Sequence, residues 1–344
     1  MVYQRKSGMD GKFKAIAVCV TALLLSLASF DAARGAITNT DTAATYNTIQ
    51  AAVDAAASGE TILLDTGFYL LSEAVTITDK ALTISGALEA ATFIHLSTAR
   101  SDNAFTIDAD GLSVTLEKLT IRFGDYGVKS TAGNVNVNNC TFQLNGYSGI
   151  PYSNSPTAAN TAVTWAAQAS DGGAIRIENS SSSEIGNCTL LTNDSGITLV
   201  DCTNGNIHDN TITGSNQSGI HLASSSGTGS QGCISTTVED NTCSTNRENG
   251  IKSVGGLGNT ITGNTCSDNW NAGIMVSHPG QITVQTSTLA GNNVYAFSGK
   301  GLTGNAGGSI YVTGTTGDAG ATWALKLLNN TISSGSTGGA TSPT

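Results

Sequence analysis

The sequence predicts an all-β solenoid: a single right-handed parallel β-helix with a short N-terminal capping helix. Two repeated phrases and one N-terminal signal predict it. The first phrase is a small or polar residue, then Gly, then an aliphatic residue. It occurs as Tyr126-Gly127-Val128, Ser148-Gly149-Ile150, Ser195-Gly196-Ile197, Ser218-Gly219-Ile220, Asn249-Gly250-Ile251 and Ala272-Gly273-Ile274, with Gly173-Ala174-Ile175 as a variant. By their numbers the aliphatic residues step by 22, 25, 22, 23, 31 and 23 positions. A period in the low twenties marks a solenoid.

The second phrase is aliphatic-x-x-Asn-x-aliphatic, around Asn210, Asn241, Asn264, Asn292 and Asn330. Cys140 and Cys188 take the Asn place in two earlier coils. Each phrase reads as an alternating strand too short for a helix. Gly, Asn, Asp and Ser supply turns because they tolerate left-handed backbone. One Asn per coil predicts an inward amide ladder that satisfies buried turn groups. The bias of parallel crossovers sets the hand. Leucine-rich repeats share the period, but their strand-and-helix consensus is absent.

The third observation is N-terminal. Residues 48–56 space their apolar side chains as a helix does and end at Gly59. A short helix there covers the open apolar end of the first coil, as solenoids require. Ile49-Gln50-Ala51-Ala52-Val53, then Gly59-Glu60-Thr61-Ile62 and Gly67-Phe68-Tyr69, resembles the opening of pectate-lyase-like right-handed parallel β-helices. The Asn-Thr-Ile and Ser-Gly-Ile phrases are similar to the repeats of NosD-like proteins and mannuronan C5-epimerases. The resemblance covers roughly residues 46–333. It implies the fold and says little of the activity, because that superfamily hosts lyases, hydrolases, epimerases, esterases and binding proteins.

Residues 1–36 read as a secretory signal peptide: Arg5, Lys6, Lys12 and Lys14 precede an apolar run from Ala15 to Ala28. That run is too short for a stable membrane span. The expected destination is the bacterial periplasm, cell surface or exterior. Residues 37–332 then form the β-helix with its cap, and 333–344 a Gly/Ser/Thr-rich tail. Export removes five of the 15 Lys and Arg and two of the 25 Asp and Glu. The remaining 10 basic and 23 acidic groups give a formal net charge of −13. Nucleic acid and membrane insertion are therefore not expected, and a monomer is. Cys202 and Cys233 lie eight residues before their ladder Asn, and Cys243 and Cys266 two residues after theirs. Adjacent coils bring such pairs within disulfide reach. Cys202–Cys233 is the better candidate, against the alternative that Cys fills small inward positions.

Candidate chemistry follows from register. The residue after each repeat aliphatic points outward. The column reads Lys129, Pro151, Arg176, Thr198, His221, Lys252, Met275. Asp194, Arg247, Glu248 and Trp270 sit where the chain enters these strands. An elaborated coil from Pro151 to Asp171 carries Tyr152 and Trp165. This is a toolkit for a polyuronate. Arg176 or Arg247 neutralises the carboxylate, and His221 or Lys252 acts as base. Lys129, Tyr152, Trp165, Asp194, Glu248 and Trp270 are the expected substrate contacts. Against this, exposed Lys and Arg are ordinary solubility devices, and the Asp-Pro-His of mannuronan epimerases is absent. Asp209 and Asp240 read as turn residues, and His208 and Glu239 as a surface pair. No cofactor or metal is expected; calcium stays open without a loop pattern to support it. The reading is a secreted β-helix protein that binds an acidic polysaccharide and processes it as a lyase or C5-epimerase. The alternative is a non-catalytic surface or matrix β-helix. Whether the chain is an enzyme stays open on the sequence.

Overall fold

The structure, a computed structural model, describes residues 34–96, 102–146, 172–225 and 232–277. It adds the backbone of strands Gln281–Gln285, Thr288–Ala290, Ile310–Thr313, Ala324–Leu328 and Thr331–Ser333. Tyr152, Trp165 and nearly all of the expected signal peptide and tail lie outside the described residues. Residues Gly35–Thr344 form one compact unit.

Each coil contributes a strand to each of three parallel ladders. The first runs from Val75–Thr78 to Ile310–Thr313, the second from Thr61–Leu64 to Ala324–Leu328. The third is a ten-stranded sheet from Gly67–Leu71 to Thr331–Ser333. Two 13-residue strands, Phe105–Glu117 and Tyr126–Asn138, turn a corner and serve the first two ladders at once. The chain is thus a three-sided parallel β-helix.

Alternation builds the core. Val128, Ile175, Ile197, Ile220, Ile251 and Ile274 stack inward on one side, and Val137, Ile185, Ile207, Val238 and Ile261 on another. All are 0% exposed. Each such side chain contributes about 1.5–3 kcal/mol of burial free energy. Helix α1, Ile49–Ala55, closes the N-terminal end. Thr48 caps it by accepting from the Ala51 amide at 3.0 Å, and Ile49, Ala52 and Val53 enter the core. Lys80 Nζ donates to the Val53 and Ala56 carbonyls at its far end, 2.9 and 2.8 Å away.

The amide ladder forms as expected. Asn210 Nδ2 donates to Asn241 Oδ1 at 2.9 Å, and Asn241 Nδ2 to Asn264 Oδ1 at 3.0 Å. A second ladder was not legible in the repeat phrase. Asn145 donates to Asn193 at 2.9 Å and Asn246 to Asn269 at 3.0 Å. Between the second and third ladders one left-handed residue makes the turn in successive coils: Lys118, Asn139, Asn187, Asp209, Asp240 and Gly263, at φ from 52° to 66°. Asp209 and Asp240 are therefore turn residues.

The structure corrects three expectations. Val128 pairs directly with Ile175 and Lys129 with Arg176, so no rung lies between them, contrary to the count from the repeat phrases; Ser148-Gly149-Ile150 and Pro151 lie outside the described residues. The insertion between them leaves the described residues at Gly146 and returns at Gly172; a Cβ on Gly172 would lie 2.6 Å from the Gly146 Cα. Second, none of the six described cysteines is in a disulfide, and neighbouring ones stack in register or nearly so. Cys202 and Cys233 each donate to a core-strand carbonyl, of Ile177 and Leu199, at 3.4 Å, so the expected disulfide is absent and the small-filler alternative holds. Third, His208 and Glu239 do share rungs. The imidazole, however, bonds Glu184 on the preceding coil at 3.3 Å and its own neighbour Asp209 at 2.9 Å.

The third ladder carries a threonine column. Its register stacks Thr120, Thr141, Thr189, Thr211, Thr242, Thr265, Thr288 and Thr331 in one column with no shift.

Candidate functional site

The outward column of the first ladder is real. Pairing places Lys129 beside Arg176, Arg176 beside Thr198, Thr198 beside His221, His221 beside Lys252 and Lys252 beside Met275. Rungs repeat every ~4.8 Å, so Arg176 and His221 stand ~10 Å apart and His221 and Lys252 one rung apart.

His221 is the least ordinary member. Its ring is half-buried, and Nε2 is shut off from solvent without a hydrogen bond among the described residues. Burial first, then the charges of Lys252 and Arg176, push its pKa from 6.5 down to about 3. The imidazole is thus neutral between two cations. Arg176 Nε donates to Glu178 Oε1 at 2.6 Å. Glu178 escaped the sequence reading, although two residues along a strand always share a face. Lys129 Nζ stands 5.6 Å over the ring of buried Tyr126.

The strand entrances form a rail, one residue per coil. Asn216 Nδ2 donates to Asp194 Oδ1 at 3.0 Å, Arg247 Nη1 donates to Asn216 Oδ1 at 3.0 Å, and the Arg247 guanidinium stacks 4.7 Å over Trp270. Trp270 is 41% exposed and forms the open end. Asp194 is 0% exposed and also accepts from Gln217 Nε2 at 2.9 Å. Its carboxylate fixes the rail and does not face solvent, contrary to its expected role as a substrate contact. Glu248 accepts from Ser218 Oγ at 3.2 Å. Asn216 was missed because a lone Asn in a turn carries no sequence signal beyond the turn itself.

So the structure brings Lys129, Arg176, His221 and Lys252 onto one face and Arg247, Glu248 and Trp270 along its edge. Both ends of the insertion that holds Tyr152 and Trp165 are rooted at this same edge, at Gly146 and Gly172, against Asp194 and Asp125. Among the described residues no group of three or more His, Cys, Asp or Glu is placed to hold a metal ion. No helix there is long and apolar enough to cross a membrane.

The comparisons bear on the fold. Residues 103–236 match the family model of the right handed beta helix region. The Agl-KA catalytic domain superposes with a TM-score of 0.56 at 16% identity, over 86% of this chain; the chain spans about half, 52%, of that structure's length. The alginate lyase from Paenibacillus sp. str. FPU-7 superposes with a TM-score of 0.55 at 12% identity, over 83% of this chain and 96% of its own. No curated protein matches the sequence. Identities this low speak for architecture alone. With three parallel ladders, stacked amides and the match over residues 103–236, the chain has the right-handed parallel β-helix fold.

Proposed function

We propose that the chain is a secreted protein that binds an acidic polysaccharide along the first ladder and processes it by removing the proton beside a uronate carboxylate. The observation that carries this reading is a neutral His221 set one rung from Lys252 and two from Arg176 on one outward column. Two solved β-helix structures of similar shape support it by their kind: one is described as an alginate lyase, the other as a catalytic domain.

The chemistry divides among the residues. The Arg176 guanidinium pairs with the uronate carboxylate and draws charge from the adjacent carbon, acidifying the C5 proton. The neutral imidazole of His221 accepts that proton. In the free protein its low pKa makes it a weak base, but a bound carboxylate offsets the Arg176 and Lys252 charges and raises it toward the useful range. For elimination, the C4–O4 bond breaks and Lys252 gives its proton to the departing oxygen. For epimerisation, Lys252 instead returns a proton to the opposite face. Trp270, backed by Arg247, offers an aromatic rim for a sugar face.

Incubation with alginate, pectate and related polymers tests this. Unsaturated product absorbance reports elimination, and hydrogen exchange at C5 reports epimerisation. Absence of both across these polymers rejects the catalytic reading. A non-catalytic surface role is favoured by one specific observation: Asp194 and Arg247 are already spent on contacts within the chain. Binding without turnover decides for it.

A further inference from the structure

The third ladder carries a second cluster, at its N-terminal end and unrelated to the cationic column. Alternation puts Ile94 in the core, so Phe93 and His95 point outward, with Phe68 and Arg122 on the rungs beside them. The face is nonetheless closed over His95, which is 0% exposed. Its ring centroid lies 4.1 Å from that of Phe68 and 5.2 Å from that of Phe123, each edge to face, and 6.4 Å from that of Phe93. Arg122 stands one rung on, ~4.8 Å along the axis. Its guanidinium lies 5.2 Å over the Phe93 ring.

Packing alone does not account for the histidine. Both ring nitrogens are shut off from solvent and take no hydrogen bond among the described residues. A phenylalanine would fill much the same space without two unsatisfied polar atoms, each of which carries a desolvation cost. Burial first, then the Arg122 charge, push the His95 pKa down to about 3 and keep the imidazole neutral. Burial also lowers the pKa of Arg122 itself.

An anion set against both groups relieves both. A carboxylate offsets the desolvated guanidinium charge and accepts from the imidazole N–H. The Phe68 and Phe93 rings, stacked on adjacent rungs, add an apolar platform of the kind that holds the C–H face of a sugar. A carboxylate on a sugar ring is a uronate. Entry is at the sheet edge. Gly67–Leu71 is the terminal strand of the ten-stranded sheet; its Phe68 is half-buried and its Leu70 exposed. Turning the Phe68 ring aside uncovers His95. We infer that Phe68, Phe93, His95 and Arg122 form a uronate-binding site on the third ladder, which anchors the polymer away from the first-ladder column. This rests on the reading that the ligand is an acidic polysaccharide, and not on its turnover.

The test titrates the full chain with oligoguluronate and with oligogalacturonate, and with sodium acetate at equal ionic strength as the anion control. The His95 imidazole signals are followed by NMR. The expected result is a saturable His95 response to at least one oligouronate and none to acetate. Arg122→Gln should weaken the affinity read at His95 by about tenfold or more, the size of a lost hydrogen bond to a charged group. Phe93→Ala should weaken it as well, and His221→Ala, on the first ladder, should leave the His95 response as in the parent. The parent titration stands even if a variant does not fold. His95 signals that stay unmoved while the oligomer binds or is turned over overturn the inference. So does an equal response to acetate, which marks an adventitious anion only, or a response lost in His221→Ala. Binding and turnover both absent in the parent reject the acidic-polysaccharide reading and this inference together. A His95 response without turnover upholds the site and rejects the catalytic reading alone.

Discussion

His221 and Lys252 face outward on adjacent rungs of one sheet, and the lysine charge helps to hold the imidazole neutral. The pair is a testable electrostatic unit whatever the substrate. Lys252→Ala should raise the His221 pKa from about 3, and Arg176→Ala should raise it by less, following the order of the two charges. Imidazole titration by NMR checks both. If the proposed chemistry holds, His221→Ala and Lys252→Ala each lower turnover by at least about a hundredfold. Circular dichroism of both variants should match the parent.

The histidines predict opposite pH dependences. His221 and His95 are both depressed to about 3, chiefly by burial. Between about 3 and 6.5 the unfolded chain binds protons there that the folded chain does not, so stability should fall as pH drops through this window. His208 runs the other way. Burial pulls its pKa down, but bonds to Asp209 and Glu184, with their charges, raise it overall. Its contribution is fully present below about 6.5 and is lost as pH rises through the higher folded value. Denaturant midpoints against pH should show a shallower acid loss in His95→Phe. In His208→Gln the small gain near neutrality should vanish.

The amide ladder should be costly to interrupt. Asn241 Oδ1 accepts from the buried Asn210 amide at 3.0 Å, and its Nδ2 serves the Ile207 and Glu239 carbonyls at 2.8 Å. Asn241→Leu keeps the volume but leaves these groups buried and unpaired, at about 1–3 kcal/mol each. A loss of about 3 kcal/mol or more is expected in chemical denaturation, against little change for the surface control Thr260→Ala.

The repeat glycines predict a packing defect. Gly250 has no left-handed backbone; its missing side chain makes room for the next coil. A Cβ there would lie 2.7 Å from the Gly273 carbonyl and 2.9 Å from Asn269 Nδ2. Gly250→Ala should therefore cost about 1–3 kcal/mol through overpacking. Gly214, at φ 71° with nothing nearer than 3.7 Å, should cost about 1–2 kcal/mol through backbone strain alone. Thermal unfolding of the two variants, with and without a second-site Asn269→Ala, separates the causes: only the crowded glycine should be partly rescued.

Much of this was written in the chain, because a solenoid repeats one local decision. The period placed His221 beside Lys252, and the Asn phrase found the first ladder, since both need only spacing and alternation. The second ladder hid because Ser215 breaks its Asn series and its residues lie in a turn without strand alternation. The count of coils shows the limit of phrase matching: the phrases put a rung between Val128 and Ile175, but only long-range pairing says which aliphatic residues stack. Asp194 was misread for a related reason. Its place before the strand was right, but the turn folds it inward against Asn216 and Gln217, and one-dimensional register cannot tell inward from outward in a turn.

The meeting of Gly146 and Gly172 has an evolutionary consequence. Where a loop starts and finishes at one point, the scaffold does not sense what lies between. The entropic cost of lengthening such a loop rises only logarithmically, by about 0.6 kcal/mol for each doubling. Selection can therefore rewrite those 25 intervening positions, from 147 to 171, in length and composition without disturbing any rung. The stack becomes a chassis, and the graft at Gly146 a port through which related chains could acquire different ligands on one unchanged frame.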